Sequence, residues 1–173
     1  MINLSINLEN ASAKWKNAFP KYRKKIEHAA ACAFLNAKKP AAFKERNFEI
    51  NILLTTDSNV KKLNKNYRGK DSATNVLSFP QINLNGFKKA DLAIFPIQSY
   101  IPLGDIVLAN ELIKKEAKQQ GKTFEDHVVH LIVHGVLHLL GYDHMNNPDA
   151  DKMEKLECKT LESLDYPNPY EAA

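Results

Sequence analysis

The sequence is poor in cysteine and has no long apolar run. Only two cysteines, Cys32 and Cys158, occur in 173 residues. They are too few and too isolated for a disulfide framework or a CxxC site, so we expect buried free thiols. No uninterrupted apolar segment reaches the roughly 20 residues that cross a bilayer, which argues against a membrane protein. The first ten residues lack a basic region followed by an apolar one, so we expect no secretion and a cytoplasmic location.

The net charge of +4 is unevenly distributed along the chain. Residues 1–70 carry 15 Lys and Arg against 5 Asp and Glu, a balance of +10, whereas residues 71–173 carry 9 against 15, a balance of −6. A basic segment of this kind attracts anionic partners such as nucleic acid. Lysines that merely solvate a helix face would give the same composition, and charge alone does not decide between the two interpretations.

Hydrophobic periodicity predicts one domain, residues 1–173, in which short strands alternate with helices. Alternating apolar residues or short apolar runs predict strands at 2–8, 48–54, 76–79 and 103–109. A three-to-four repeat predicts helices at 11–37 with a break near Pro20, after Asp57 or Ser58, from about Asn110, at 124–140 and at 148–164. We expect residues 81–102 to be irregular, with a hairpin arm around 90–95, and the tail from Tyr166 to be frayed.

The stretch 124–144 carries several histidines in an apolar run, and buried imidazole nitrogens need partners. His134 and His138 are four residues apart, so on a helix they project from one face and suit a shared metal ion. Gly141 favours a left-handed turn that ends the helix, after which His144 approaches from another direction. Three neutral imidazoles suit Zn²⁺ with a fourth position open to water, the pattern of a catalytic zinc site.

Other histidines in the same stretch leave alternatives open. His130 and His134 have the same four-residue spacing, but no third ligand follows them after a turn, so we favour the later triad. For His127 we expect a surface position in the first helical turn. His130 is compatible with lining the cleft and equally with a hydrogen-bonded core position.

The pattern HxxxHxxGxxH matches the ligand spacing of metzincin metalloproteases, with one difference. Those enzymes carry a glutamate directly after the first ligand as general base, and here that position is Gly135. Peptide hydrolysis by the usual route therefore lacks its base. Because glycine in mid-helix costs about 1 kcal/mol relative to alanine, we expect a packing or access reason for it.

A second polar segment, residues 66–80 with the sequence NYRGKDSATNVLSFP, leads through turn-forming residues into a short strand. Arg68 stands in this segment, and a guanidinium is well suited to bind phosphate through two hydrogen bonds. A solvated surface arginine is the ordinary alternative.

Three motifs together, HGVLHLLGYDH at 134–144, YRGKDSATNVLSFP at 67–80 and LGDIVLA at 103–109, resemble the YbeY family of bacterial zinc-dependent endoribonucleases. The resemblance covers essentially the whole domain. It implies an α/β (α+β) fold in which a small mixed sheet of about four strands packs with about five helices, one of them central, buried and metal-bearing.

The same resemblance implies the functional residues and partners. Zn²⁺ is expected on His134, His138 and His144, with Arg68 and His134 catalytic and Arg68 also binding substrate. The implied function is single-strand-specific cleavage of RNA in small-subunit rRNA maturation and ribosome quality control. Implied partners are rRNA, the ribosome, and ribosomal proteins or assembly GTPases.

The mechanism that we expect is zinc-activated phosphodiester cleavage, because zinc lowers the pKa of bound water and polarises a phosphoryl oxygen. Arg68 would stabilise the charge that develops on phosphate. Asp143 is the nearest candidate for proton transfer, although orienting a histidine explains it equally well. Two alternative functions are a non-catalytic zinc-bearing ribosome-assembly factor and a zinc metalloprotease, the latter disfavoured by Gly135.

Overall fold

The protein forms four strands and six α-helices in a computed structural model that describes residues 3–84 and 89–171. The strands are β1 (Asn3–Asn10), β2 (Asn47–Thr55), β3 (Val76–Pro80) and β4 (Tyr100–Ala109). The helices are α1 (Lys14–Ala18), α2 (Tyr22–Asn36), α3 (Asp57–Arg68), α4 (Asn110–Gln119), α5 (Phe124–Leu139) and α6 (Asn147–Glu162). Two 3₁₀ turns lie at Ala41–Phe43 and Lys89–Ile94.

The strands form one mixed sheet in the order β1-β2-β4-β3. β1, β2 and β4 run parallel, and β3 joins β4 antiparallel at the edge. Strand β2 shows why the segment is a strand: its even-numbered apolar residues Phe48, Ile50 and Ile52 are all buried on one face. The expected mixed α/β sheet of about four strands is confirmed.

The bulk of the core lies on the face of the sheet that α5 covers. Helix α5 is apolar on nearly every side because it contacts the sheet, α2, α4 and α6. Ten of its 16 residues are buried, which agrees with the predicted central helix. A smaller cluster of buried side chains is formed by Val60 of α3 with Leu77 of β3 and Val107 and Ala109 of β4.

Most predicted elements are present, and the break near Pro20 separates α1 from α2. The predicted hairpin arm around 90–95 is wrong, because those residues form the 3₁₀ turn Lys89–Ile94. Leu92 and Phe95 are three residues apart, and they pack together against the core with Phe95 N donating to Leu92 O at 3.0 Å. Ile2, at the start of the first predicted strand, lies outside the described residues.

The predicted frayed tail is also wrong as far as Glu171, the last described residue. Tyr166 N donates to Leu161 O at 3.0 Å, and Lys122 Nζ donates to Pro169 O at 2.6 Å.

Both cysteines are free as expected, but each is only half-buried. Among residues 3–84 and 89–171, none of the helices is both long enough and apolar enough to cross a membrane.

Candidate metal centre

Helix α5 places His134 and His138 one turn apart, and its start is fixed by Thr123, which forms the capping-box pattern of a helix start with Asp126 three residues later. Thr123 Oγ1 accepts a hydrogen bond from Asp126 N at 3.0 Å, which satisfies one of the unpaired amides of the first turn. From there the helix runs without a break to Leu139. The two imidazoles therefore project from one face, close to its C-terminal end.

The turn after α5 has the hydrogen-bond pattern of a Schellman motif. Gly141 N donates to His138 O, and Tyr142 N donates to Leu137 O, each at 3.0 Å. Gly141 adopts φ +84°, the left-handed conformation that this motif requires and that glycine accepts without strain. The chain therefore reverses within three residues, and His144 comes back beside the other two rings.

The three rings converge on one point. Their centroids are 4.5 Å apart for His134 and His138, 5.0 Å for His138 and His144, and 5.5 Å for His134 and His144. One ring nitrogen of each lies within 4.8 Å of those of the others. The three residues predicted as ligands therefore lie close together. That they bind a metal ion stays a prediction.

Hydrogen-bond partners fix which nitrogens of His134 and His138 carry protons. His134 Nδ1 lies 2.8 Å from a carboxylate oxygen of Glu157, and His138 Nδ1 lies 3.0 Å from the carbonyl oxygen of Tyr142. Both partners only accept, so both Nδ1 atoms donate and both Nε2 atoms are unprotonated in the neutral rings. These two Nε2 atoms face each other at 3.0 Å with no proton of their own between them.

Two lone pairs held this close require a cation or an added proton. In a tetrahedral zinc site with Zn–N of about 2.0–2.1 Å, neighbouring nitrogens are about 3.3 Å apart, near the observed separation. An added proton is disfavoured, because burial and the neighbouring His134 and His144 rings lower the pKa of His138 to about 4. The donor set therefore fits a metal ion that prefers neutral imidazole nitrogen.

A second group, His130, His134 and Glu157, also lies close enough to share an ion, but its geometry is that of hydrogen bonds. Glu157 Oε1 accepts from His134 Nδ1 at 2.8 Å, and Glu157 Oε2 accepts from His130 Nε2 at 2.9 Å. These distances leave no room for an ion between the atoms. For His130 this agrees with the hydrogen-bonded alternative rather than with a lining position in the cleft.

Glu157 is the residue that the sequence interpretation missed. It is fully buried in α6. Burial alone would raise the pKa of its carboxyl group, but hydrogen bonds from His130 and His134 outweigh that effect and hold the pKa at about 2. A signal was present: Met153, Glu157 and Leu161 are four residues apart, so a carboxylate interrupts the inward face of a predicted helix.

The prediction of a surface position for His127 is wrong, since only 4% of this residue is exposed. His127 Nε2 donates to Glu116 Oε2 at 2.9 Å, and the same oxygen accepts from Asn75 Nδ2 at 2.8 Å. Burial lowers the pKa of His127, although Glu116 opposes the effect. Helix α4, which carries Glu116, covers the first turn of α5, and sequence periodicity gave no sign of this contact.

Arg68 lies in the same cleft as the three histidines, although it comes from the last turn of α3. The cleft has a volume of about 920 Å³, and its lining includes Arg68, Lys70, His134, His138 and His144. Arg68 Nη2 donates to Ser78 O on the edge strand β3 at 2.9 Å, which uses one of five guanidinium N–H groups. The predicted phosphate-binding residue and the predicted metal ligands therefore share one cavity.

Asp143 also lines this cleft, but its observed contact is with the backbone. Asp143 Oδ1 accepts from His144 N at 2.7 Å, a local bond that supports the turn. A separate cavity of about 790 Å³ lies along β1, β2 and β4 and includes none of the three histidines in its lining.

The sequence is similar to a family of endoribonucleases over most of its length. A family model described as "Endoribonuclease YbeY" matches residues 7–165. Proteins named "Endoribonuclease YbeY" are 44% identical in Parvibaculum lavamentivorans (98% of this chain, 86% of the relative) and 37% identical in Rhizobium etli CIAT 652 (98% and 94%). The solution structure of TM1509 from Thermotoga maritima is similar in fold, with a TM-score of 0.50 at 21% identity over 95% of this chain and 91% of that chain.

Proposed function

The chain belongs to the YbeY family of endoribonucleases, and from this premise we propose that it cleaves RNA with a metal ion held by His134, His138 and His144. The observation that carries the proposal is the 3.0 Å approach of His134 Nε2 to His138 Nε2, with both Nδ1 atoms bonded to acceptors, in a cleft shared with Arg68. Three imidazole nitrogens without a carboxylate ligand favour Zn²⁺ over Mg²⁺, which prefers oxygen.

The ion, when bound, supplies Lewis-acid chemistry at a phosphoryl oxygen and its water. His134 and His138 present their Nε2 lone pairs in a fixed orientation because their Nδ1 protons are held by Glu157 and by Tyr142 O. His144 closes the set from the turn after α5. The protein therefore holds the ligands in place before an ion arrives, which lowers the cost of ordering them.

Arg68 is proposed to bind the scissile phosphate. Its bond to Ser78 O and its position over the Phe79 ring, 5.7 Å from the centroid, hold the guanidinium on the wall of the cleft. A guanidinium fixed in this way stabilises the negative charge that develops on phosphate during cleavage. His134, proposed above as a ligand, is catalytic through the ion that it holds.

We infer that the substrates are single-stranded regions of rRNA in small-subunit maturation and ribosome quality control, with ribosomal proteins or assembly GTPases as partners. The resemblance in the three motifs and the charge of +10 on residues 1–70 support this inference. An rRNA substrate also implies a cytoplasmic location. Residues 1–173 are proposed to act as one domain.

A metalloprotease is disfavoured by the surroundings of Gly135. A Cβ atom at this position would lie 3.0 Å from Ile106 Cδ1 and 3.1 Å from Ile106 Cγ2, inside the core. A glutamate side chain here would begin against β4, so the usual general base has no place beside the ligands.

Metal analysis of the purified protein is the first test. We expect about one zinc per chain after gel filtration in the wild type and none in His138→Ala, because two imidazoles do not retain zinc tightly. Single-stranded rRNA fragments should be cleaved by the zinc-loaded wild type and left intact with chelator. Full zinc content in His138→Ala would remove this residue from the ligand set.

Arg68→Ala tests the phosphate-binding role. We expect it to keep its zinc and to cleave about 100-fold more slowly under single-turnover conditions, the scale of losing one transition-state donor. Lys65→Ala is the matched control, because Lys65 is a cation on the same helix that pairs with Asp71 and is not part of the cleft lining. Unimpaired cleavage by Arg68→Ala would contradict the role. RNA binding without cleavage by the wild type would instead favour the non-catalytic assembly factor.

A further inference from the structure

The C-terminal tail, residues 166–171, folds back over α6 and is attached at several points. Besides the bonds of Tyr166 N and Pro169 O, Cys158 Sγ donates to Asn168 Oδ1 at 3.2 Å. Asn168 Oδ1 also accepts from Tyr170 N at 3.0 Å, so the amide sets the direction of the chain just before Tyr170. The tail therefore positions the Tyr170 side chain against α5.

The Tyr170 side chain also reaches the carboxylate of Glu157 in α6. The Tyr170 hydroxyl donates to Glu157 Oε2, and the Tyr170 ring meets the His130 ring edge-on at a centroid distance of 5.7 Å. Glu157 thus accepts from three donors: His134 Nδ1, His130 Nε2 and the Tyr170 hydroxyl. A fully buried carboxylate needs such donors, and two of its three come from residues outside the set of proposed ligands.

The orientation of Glu157 decides the tautomer of His134. Because the carboxylate only accepts, His134 must carry its proton on Nδ1 and expose the Nε2 lone pair to the centre. Oε1 faces His134, whereas Oε2 is held by His130 and Tyr170. Bonds to Oε2 stop the carboxylate from rotating, and so they keep Oε1 in line with His134.

We propose that Tyr170 and Glu157 are positioning residues of the metal centre. The C-terminal tail then helps to orient a proposed ligand, His134. The inference rests on the proposed metal-binding function and extends it beyond the three ligands. Tyr170 acts through Glu157, and Glu157 acts through His134. Neither residue is one of the three proposed ligands.

A second tyrosine of the tail, Tyr166, provides a matched control for Tyr170. Tyr166 also donates its hydroxyl to a carboxylate, Glu125 Oε1, at 2.8 Å, but Glu125 has no contact with the three proposed ligands among the described residues. Tyr166→Phe and Tyr170→Phe each remove one oxygen and one hydrogen bond from the same segment. A purely structural tail predicts equal effects from the two variants.

The first measurement is zinc affinity of the full chain by competition with a chromophoric chelator. We expect affinity to fall about 10-fold in Tyr170→Phe and up to about 100-fold in Glu157→Gln, the range for partners of metal-bound histidine, and to stay at the wild-type value in Tyr166→Phe. Wild-type affinity in Tyr170→Phe, or an equal loss in Tyr166→Phe, would overturn the proposal.

The second measurement is the His134 tautomer in zinc-free protein, read from ring ¹⁵N chemical shifts by NMR. We expect the Nδ1-protonated form in the wild type and in Tyr166→Phe, and a mixture of tautomers in Tyr170→Phe. This readout needs neither bound zinc nor cleavage, so it tests the positioning role even if the proposed function fails. An unchanged tautomer in Tyr170→Phe would refute the role, and it does not depend on whether Glu157→Gln folds.

Discussion

The histidines of this protein differ in the surroundings of the ring nitrogen that does not donate a hydrogen bond. His134 donates to a carboxylate and His138 to a carbonyl oxygen, so each leaves an unprotonated nitrogen that faces the proposed metal position. His127 donates to Glu116, but its Nδ1 is buried without a hydrogen-bond partner among the described residues. Histidine therefore occurs here both as a proposed metal ligand and as a buried residue outside the cleft. The surroundings of each ring decide which of the two it is.

His138 gives a prediction about pH dependence in the zinc-free protein. Its folded pKa of about 4 lies below the ordinary value of 6.5, so the unfolded chain binds the proton more readily between these values. The full free energy of unfolding is therefore present above pH 6.5, and the part that depends on a neutral His138 ring is lost as the pH falls towards 4. At pH 5 the loss amounts to about 2 kcal/mol, at 1.36 kcal/mol per pH unit.

Urea unfolding at pH 7 and pH 5 measures this effect. The free energy of unfolding should fall less between the two pH values in His138→Gln than in the wild type, because glutamine does not titrate. Equal decreases in the two proteins would show that other groups cause the acid sensitivity.

At the scale of elements, neighbouring helices and strands stabilise one another's ends. Asp57 and Ser58 were the two candidates for the start of α3, but Asp57 Oδ1 accepts from Glu111 N and Leu112 N at 3.1 Å and so caps α4 instead. In return, Asp57 N donates to Glu111 Oε2. Local sequence identifies a capping residue, whereas tertiary contacts decide which helix it caps.

Gly135 shows the same dependence between α5 and β4. The expected packing reason for this glycine is present, since the side chain of Ile106 lies where a Cβ atom would point. Ile106 is fully buried, so it has little freedom to move away from an added methyl group.

Gly135→Ala is therefore predicted to destabilise the protein. The gain of about 1 kcal/mol in helix propensity is smaller than an overpacking cost of about 1–3 kcal/mol, which leaves a net loss of about 1 kcal/mol. Ile106→Val removes the nearest atom, Cδ1, so adding Gly135→Ala in that background should cost less. A double-mutant cycle in urea measures this coupling, and additive effects would rule out the contact as the cause.

For the whole molecule, the sheet joins two sets of buried side chains into one structure. The large core extends from Leu8 to Leu161, and the small cluster of Val60, Leu77, Val107 and Ala109 shares strands β3 and β4 with the rest of the sheet. Neither set of side chains has a sheet of its own. Loss of the sheet would therefore expose both.

This arrangement predicts a single cooperative unfolding transition for residues 1–173. The one tryptophan, Trp15, is fully buried in α1, and its Nε1 donates to Thr55 O on β2 at 3.0 Å. Its fluorescence should therefore change at the same urea concentration as the far-UV circular dichroism of the helices. Two separate midpoints would contradict the one-domain proposal.

The sequence by itself determined the elements and the local part of the centre. Strand alternation, the Thr123 cap, the spacing of His134 and His138 and the turn at Gly141 all depend on residues within a few positions of one another. Periodicity and capping describe such short-range relations well.

Only the tertiary structure decided what those residues meet. Glu157 is 23 residues from His134, Glu116 is 11 residues from His127, and Tyr170 reaches α5 from a tail that was expected to be frayed. Such pairings depend on how helices pack around the sheet, and the pattern within a single helix does not specify the partner of an inward-facing polar group. For this reason the three proposed ligands could be predicted from the sequence, and the residues that orient them could not.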